Sequence, residues 1–373
     1  MSDVYIVEAV RSPIGRGRPD GKLAHLRPET LAARVLNAAV ERADVDPEAI
    51  EDVILGCVTQ TGEQGANIAR LAVMSAGWPV TVPGASVNRM CGSSQQAVHQ
   101  VAQAIAAGDM DLAVAGGVEV MSRVTMGLDW PNPFTPDVPY DLVMQGISAE
   151  MMADKWDLSR EELDDYAYRS HYLAAQATKA EKFCPEIVPM EIDYDEGIRF
   201  EPDRRKMSAL PPAFKPDGKV TAANSSQISD GASAVLLASE DAVRRYGLRP
   251  RARFVSRVVV GDDPVLMLSG PIPATRKALG RAGLKLEDID AVEINEAFAS
   301  VVLAWAKELE ADMAPVNAWG GAIAVGHPLG ASGGRLMSTL LDRLETDGGR
   351  YGLQTMCIGH GMATATIIER LGE

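Results

Sequence analysis

What narrows the fold of this chain most is that it repeats itself. Ala43-Asp44-Val45-Asp46-Pro47-Glu48-Ala49-Ile50-Glu51-Asp52-Val53 aligns with Ala282-Gly283-Leu284-Lys285-Leu286-Glu287-Asp288-Ile289-Asp290-Ala291-Val292, an offset of 239 (282 less 43). The same offset carries Ser93 onto Ser332 in Gly330-Ala331-Ser332-Gly333, and residues 112–115 onto 351–354. Chance periodicity rarely holds one offset across three elements, so two halves of one plan are expected to pack about a pseudo-twofold axis. A second alignment breaks the register. Asp230-Gly231-Ala232-Ser233-Ala234-Val235 resembles His360-Gly361-Met362-Ala363-Thr364-Ala365 at an offset of 130 (361 less 231). The first half therefore carries about 109 extra residues (239 less 130) between Glu119 and Asp230.

Within the first half the pattern reads strand (Val4 to Val7), helix (Pro28 to Ala43), strand (Val53 to Cys57), helix (Asn67 to Ala76) and strand (Leu112 to Ala115). Apolar strands alternating with helices predict an α/β fold around a largely parallel, buried sheet. The extra segment differs in character. It holds a Pro-rich stretch at 130–140, a charged helical region from Ala149 to Phe183, and a polar run from Tyr194 to Lys219. Ligands in open α/β sheets gather at the carboxyl ends of strands, and an insertion leaving from such an end is placed to cover them. The expected organisation is residues 1–117 with 229–250 as one half, 118–228 as the inserted cap, and 251–373 as the other half.

With 46% hydrophobic and 23% charged residues the chain has the make-up of a soluble globular protein with a substantial core. A net charge of −15 disfavours nucleic acid and anionic membrane as partners, so a polyanionic ligand must be held by a local patch. Cys57, Cys91, Cys184 and Cys357 are widely spaced with no C-x-x-C pair, which argues for isolated thiols rather than a disulfide framework or a metal site. No apolar run approaches the roughly 20 residues needed to cross a bilayer. The start of the chain runs into Val4-Tyr5-Ile6-Val7 without a basic and apolar leader, and a cytoplasmic location is the expectation.

Chemistry-bearing residues collect on four loops that follow strands. Cys91 stands in Asn88-Arg89-Met90-Cys91-Gly92-Ser93-Ser94 and opens a helix, where unpaired N–H groups and the helix dipole favour a thiolate. Asn295 stands in Glu293-Ile294-Asn295-Glu296-Ala297-Phe298, His327 in Gly326-His327-Pro328-Leu329-Gly330, and Cys357 in Cys357-Ile358-Gly359-His360-Gly361. The offset places Cys91 opposite Gly330, three residues from His327. The symmetry thus predicts two thiols, an imidazole and an amide in one cleft.

These blocks, with Gly116-Gly117-Val118-Glu119-Val120-Met121-Ser122 and Ser229-Asp230-Gly231-Ala232, resemble those of the thiolases, the acyl-CoA C-acyltransferases, in order along the whole chain. The resemblance implies a duplicated, layered αβαβα core and a reversible Claisen condensation or thiolysis of 3-oxoacyl-CoA. It implies that Cys91 carries the acyl group as a thioester, that His327 exchanges the Cys91 proton, and that Cys357 is acid and base at the substrate α-carbon. One oxyanion would meet the N–H groups of Cys91 and Gly359, and the other His327 with a water held by Asn295.

By the same resemblance, Ser226 would touch the pantetheine arm of coenzyme A. Arg204-Arg205-Lys206 is a candidate for the CoA phosphates. No tightly bound cofactor is implied, with CoA and acyl-CoA as substrates, and a homodimer or tetramer is expected. Departures surround the acyl pocket: Met144-Gln145-Gly146 where the family often has His-Met-Gly, and Gly359-His360-Gly361 where it often has three glycines. Acetyl-CoA acetyltransferase and short- or medium-chain 3-ketoacyl-CoA thiolase both fit. A decarboxylating ketosynthase would need a histidine where Asn295 stands, and a non-catalytic acyl-CoA or lipid binder would be expected to lack a cysteine or His327.

Overall fold

The computed structural model describes residues 3–131 and 136–372, so 132–135 of the predicted Pro-rich stretch lie outside the described residues. The first half runs β1 (Val4–Arg11), β2 (Gly15–Arg16), α1 (Pro28–Arg42), β3 (Asp52–Gly56), α2 (Ile68–Ser75), β4 (Ala85–Val87), α3 (Ser93–Ala107) and β5 (Leu112–Val120). Three helices follow, α4 (Gln145–Lys155), α5 (Arg160–Lys179) and α6 (Arg204–Ser208), before β6 (Ser229–Ser239) and α7 (Glu240–Tyr246). The second half holds β7 (Ala252–Gly261), α8 (Pro271–Ala282), β8 (Ala291–Ile294), α9 (Ala299–Leu309), α10 (Ala322–Val325), α11 (Ser332–Asp347), β9 (Tyr351–Ile358) and β10 (Met362–Arg370). Pro28 and Pro271 open their helices at the position where a missing N–H costs nothing.

The strands form one sheet in the order β4-β3-β5-β6-β1-β7-β10-β9-β8. Reading outward from the β1/β7 seam, each half repeats the same sequence of strands. The third strand of the second half shrinks to one bridge, Val292 to Val316, where β3 pairs with β4 in the first. At the seam Tyr5 pairs with Arg253 and Ile6 with Ala252. The expectation of a largely parallel sheet needs correcting. Among the strands of the described residues only β3/β4, β3/β5 and β8/β9 run parallel, and the other strand pairings are antiparallel. The physical reason is the turn at 359–361, which sends β9 straight back as β10; a tight hairpin can only make antiparallel neighbours. In the first half the long insertion leaves and re-enters at the mouth of the matching pair, where Val120 faces Asp230.

Side chains alternate across each strand and sort the molecule into layers. On β5, Val114 and Val118 pack with Leu31 and Val35 of α1 and Val73 of α2, while Ala113 and Ala115 pack with Val98 of α3 and Met337 of α11. In the second half, Val292 and Leu353 pack toward α8 and α9, and Ala291 and Ile368 toward α11. The layers therefore run helices, the first half of the sheet, α3 with α11, the second half of the sheet, helices. Strands covered on both faces read as unbroken apolar runs, and every residue of β5 and β6 is buried. Two glycines set how closely the halves approach. A Cβ at Gly333 would stand 2.4 Å from the backbone nitrogen of Gln95, and one at Gly117 would stand 2.0 Å from the Gly330 oxygen.

The charged helical region expected from Ala149 to Phe183 is two helices. Asp157 takes a left-handed φ of 47°, and Ser159 with Glu162 restarts the helix through a reciprocal capping box. The segment is tied to β1 by fully buried Arg11, which donates to Glu186 at 2.6 Å and to Asp195 at 2.6 and 2.9 Å. Removing one partner of such a buried network costs about 3–5 kcal/mol. Among the described residues no helix is long and apolar enough to cross a membrane.

Candidate active site

The chain leaves β4 through a tight elbow. Met90 sits at φ 47°, Asn88 accepts from its N–H at 2.8 Å, and the Ser93 hydroxyl accepts from the Arg89 N–H at 2.9 Å. The elbow presents Cys91 just ahead of α3, buried against Met121, Leu329 and Met356. A low thiol pKa was expected from the helix end, and the structure reverses it. Burial pushes the Cys91 thiol up to about 11, and hydrogen bonds to its sulfur from the Gln145 side chain and the N–H groups of Gly359 and Cys91 only partly oppose this.

Cys357, near the end of β9, pairs with Ala363 of the hairpin partner. Burial drives its thiol far above the ordinary range and charge on Cys91 adds to this, whereas contacts to the Asn295 side chain and the Ala297 N–H act against it. Asn295 follows β8, with its N–H held by the Thr355 carbonyl at 3.0 Å. Its side-chain nitrogen lies 3.3 Å from His327 Nε2. On the other side of the ring, Nδ1 lies 2.6 Å from the Ser332 hydroxyl, which donates its own proton to the Pro328 carbonyl at 2.7 Å. Ser332 must then accept from Nδ1–H, which leaves Nε2, facing the Asn295 amide nitrogen, as the ring's acceptor. Burial, aided by Arg335, lowers the His327 pKa to about 3, so the imidazole is neutral.

Cys91 and Cys357 thus stand near enough for charge on one to act on the other, and contacts run on from Cys357 through Asn295 to His327, with residues from both halves. Gly359 adds its N–H beside Cys91, and a Cβ there would meet Gln145 Nε2 and Met90 Cγ at an ordinary 3.6 Å. Protein packing alone therefore does not demand glycine at 359. Ser226 is half-buried, and its N–H donates to the Ala297 carbonyl at 2.9 Å, which seats it on the loop that carries Asn295. The basic run on α6 is exposed and partly neutralised. Arg204 pairs with Asp165 and lies 4.1 Å over the Tyr168 ring, and Lys206 pairs with Asp203.

Comparison with known proteins agrees with this arrangement. The N-terminal domain model of thiolase matches residues 4–241 and the C-terminal domain model matches 248–370. The chain belongs to the thiolase family. A steroid 3-ketoacyl-CoA thiolase, FadA6, of Mycobacterium tuberculosis is 50% identical, over 100% of this chain and 95% of that protein. A 3-ketoacyl-CoA thiolase of Vibrio parahaemolyticus is 45% identical, over 99% and 98%. The crystal structure of the Bacillus anthracis acetyl-CoA acetyltransferase superposes with a TM-score of 0.93 at 38% identity, covering 100% of this chain and 99% of that one. Thiolase chemistry is acyl transfer on CoA thioesters, and a cleft of paired thiols, imidazole and amide suits it.

The sequence pattern assigns no supporting role to four residues that the structure brings to the site. Ser332 sets the ring of His327, and its place five residues on was a usable signal. Gln145 reaches Cys91 from the inserted segment. Buried Glu296 accepts from Tyr166 at 2.7 Å, Ser170 at 2.6 Å, Asn317 at 3.0 Å and the Ile323 N–H at 3.1 Å. It thereby ties α5 and the approach to His327 to the Asn295 loop. Buried Glu119 accepts from the N–H groups of Val58, Thr59 and Gly330 at 2.8 to 3.0 Å, joining the two halves beneath Cys91. Both carboxylates work through long-range contacts that no local pattern marks.

Proposed function

We propose that this thiolase acts on 3-oxoacyl-CoA, as a 3-ketoacyl-CoA thiolase rather than as an acetyl-CoA acetyltransferase. The gathering of Cys91, Cys357, Asn295 and His327 carries the chemical part of the reading. The choice of substrate is supported by the two relatives at 50% and 45% identity, both named 3-ketoacyl-CoA thiolases, against 38% for the acetyltransferase.

In this account the Cys91 sulfur attacks the thioester carbonyl while its proton passes to His327 Nε2, the ring's acceptor once Ser332 holds Nδ1–H. The N–H groups of Cys91 and Gly359 already converge on that sulfur, so they flank the carbonyl oxygen that becomes an oxyanion there. Coenzyme A leaves, the acyl group remains on Cys91, and the second step forms or breaks a carbon–carbon bond. Cys357 then moves the proton at the α-carbon, with the Asn295 amide between it and His327 steadying the enolate oxygen. The neutral thiols and neutral imidazole at rest mean that charge develops only as substrate reacts, in a site shielded from water. Residues 118–228 act as the cap that meets CoA, with Ser226 on the pantetheine side. Homodimerisation belongs to the same proposal, and sedimentation would give the assembly.

A series of kcat/KM values for thiolysis over 3-oxoacyl-CoA chain lengths tests the substrate reading. A maximum above acetoacetyl-CoA is expected. A maximum at acetoacetyl-CoA that falls steeply with each added carbon pair would assign acetyl-CoA acetyltransferase activity instead.

A further inference from the structure

What aims the Asn295 amide at His327 is the chain on either side of it. On one side stands Ile294, the last residue of β8. The Asn317 carboxamide takes its N–H and donates to its carbonyl, both at 2.9 Å, as the backbone of a neighbouring strand would. On the other side stands Glu296, fully buried, with two donors on each carboxylate oxygen. Oε1 accepts from the Tyr166 hydroxyl at 2.7 Å and Asn317 Nδ2 at 3.0 Å; Oε2 accepts from the Ser170 hydroxyl at 2.6 Å and the Ile323 N–H at 3.1 Å. None of the four can turn round. The Tyr166 oxygen takes a share of Asn317 Nδ2–H at 3.2 Å and the Ser170 oxygen accepts from the Gly321 N–H at 3.1 Å, so both hydroxyl protons are left for Glu296. Asn317 is held in one orientation by Ile294. Only a side chain that accepts at both ends satisfies the set. The fit is close, since a Cβ on Gly321 would stand 2.3 Å from Glu296 Cδ.

We propose that Glu296 is a positioning residue for the carbon–carbon step: the four bonds to its carboxylate set the Asn295 amide beside His327, and they make that setting depend on how the cap is seated. The inference rests on Asn295 steadying the enolate oxygen. Tyr166 and Ser170 lie four residues apart on one face of α5, so the cap reaches the amide through two hydroxyls on a single carboxylate. In this role Glu296 touches no substrate and moves no proton. His327 is seated separately. Its N–H goes to the Gln227 carbonyl at 3.2 Å and the Ser229 hydroxyl at 3.1 Å, and its ring rests on Ser332 at 2.6 Å. Acyl transfer to Cys91 uses His327 and the N–H groups of Cys91 and Gly359, none of which bonds to Glu296. A change at Glu296 therefore separates the two chemical steps, because misplacing a reacting group by about 1 Å costs about a hundredfold in the step that uses it.

The test compares two rates in the whole protein. Exchange of labelled CoA into acetyl-CoA needs only acylation and deacylation of Cys91, whereas thiolysis of 3-oxohexanoyl-CoA also breaks a carbon–carbon bond. Glu296→Gln keeps the shape and sets an amide N–H against a fixed N–H at one end. Its kcat for thiolysis is expected to fall about ten- to a hundredfold with KM little changed, and its exchange rate by no more than about threefold. Tyr166→Phe is the milder variant, removing one donor from the cap. It should lower thiolysis about fivefold, the worth of one hydrogen bond, again with a smaller loss of exchange. Equal losses in the two rates, or a change in KM alone, would mark a merely structural role and overturn the inference. Asn295→Ala is measured beside them. If it depresses thiolysis selectively and neither Glu296→Gln nor Tyr166→Phe does, the inference fails while the role of Asn295 stands. If Asn295→Ala keeps the wild-type ratio of the two rates, the role of Asn295 fails, and the inference with it.

Discussion

Ser93 and Ser332 occupy the same position in the two halves, one at the start of α3 and the other at the start of α11. Each hydroxyl donates to a carbonyl one turn back, Met90 at 2.6 Å and Pro328 at 2.7 Å. They differ in what they accept. Ser93 takes the Arg89 N–H and shapes the elbow under Cys91, whereas Ser332 takes Nδ1–H of His327 and fixes the proton on the ring. The duplicated scaffold supplies two equivalent helix starts, and divergence of a few loop atoms turns one into a nucleophile seat and the other into a base seat. Loops after β3 and β8 diverge likewise: Gly56-Cys57 in the first half stands where Asn295-Glu296 stands in the second. Symmetry places the chemistry, and asymmetry supplies it.

The comparison breaks most visibly at the nucleophile. Cys91→Ala is expected to lower thiolysis by at least about a thousandfold, measured as kcat/KM, while its fold, read by circular dichroism, stays intact. Ser332→Ala should lower kcat by about ten- to a hundredfold, the cost of losing one hydrogen bond to a group that becomes charged. Its KM should move much less. A smaller effect is expected where α3 meets α11. Gly333→Ala should cost about 1–3 kcal/mol in urea unfolding, since its Cβ runs into the backbone of Gln95 rather than a flexible side-chain tip.

Acid sharpens the comparison further, through one histidine of each half. His99 on α3, 2.7 Å from Thr366, and His327 ahead of α11 are both held neutral by burial, with pKa values lowered to about 3. The folded state binds fewer protons than the unfolded one, whose histidines titrate near the ordinary value of about 6.5. Their stabilising contribution is complete above that pH and is lost as pH falls toward the folded value. His99→Gln should flatten the fall in unfolding free energy over about pH 6.5 to 4 by up to ~1.4 kcal/mol per unit. Ser93→Ala is the mildest case. It should cost about 1 kcal/mol in stability and leave the proton position on His327 untouched, which the ring's NMR chemical shifts would report.

Much of the fold was legible because the repeat is written in apolar spacing and turn residues. The offset of 239 carries the short helical turn Pro47–Ala49 onto Leu286–Asp288 and the start of α3 onto the start of α11. Strand direction was not legible, since a run buried on both faces looks the same in either sense; the hairpin at 359–361 decided it. Cys91, Cys357, Asn295, His327 and Gly359 could be named because each stands in a short glycine-, proline- or serine-marked block that resembles the family's. The loops expected after strands need correcting at two of them: Cys357 lies within β9 and His327 follows the short helix α10. The state of the Cys91 thiol could not be read that way. A helix end is visible in sequence, but the burial that outweighs it depends on Met121, Leu329 and Met356 arriving from three distant segments. Gln145, Glu119 and Glu296 stand in stretches that the sequence marks, but what they touch was hidden for the same reason, because their partners lie far along the chain.

The central claim is that Cys91 receives the acyl group while Cys357 handles the carbon acid. Incubating the Cys357→Ala protein with acetyl-CoA and mapping the adduct by mass spectrometry tests it directly. One acetyl group on Cys91 with no carbon–carbon bond formation is the expected result; an unmodified Cys91, or acetylation at another residue, would contradict it.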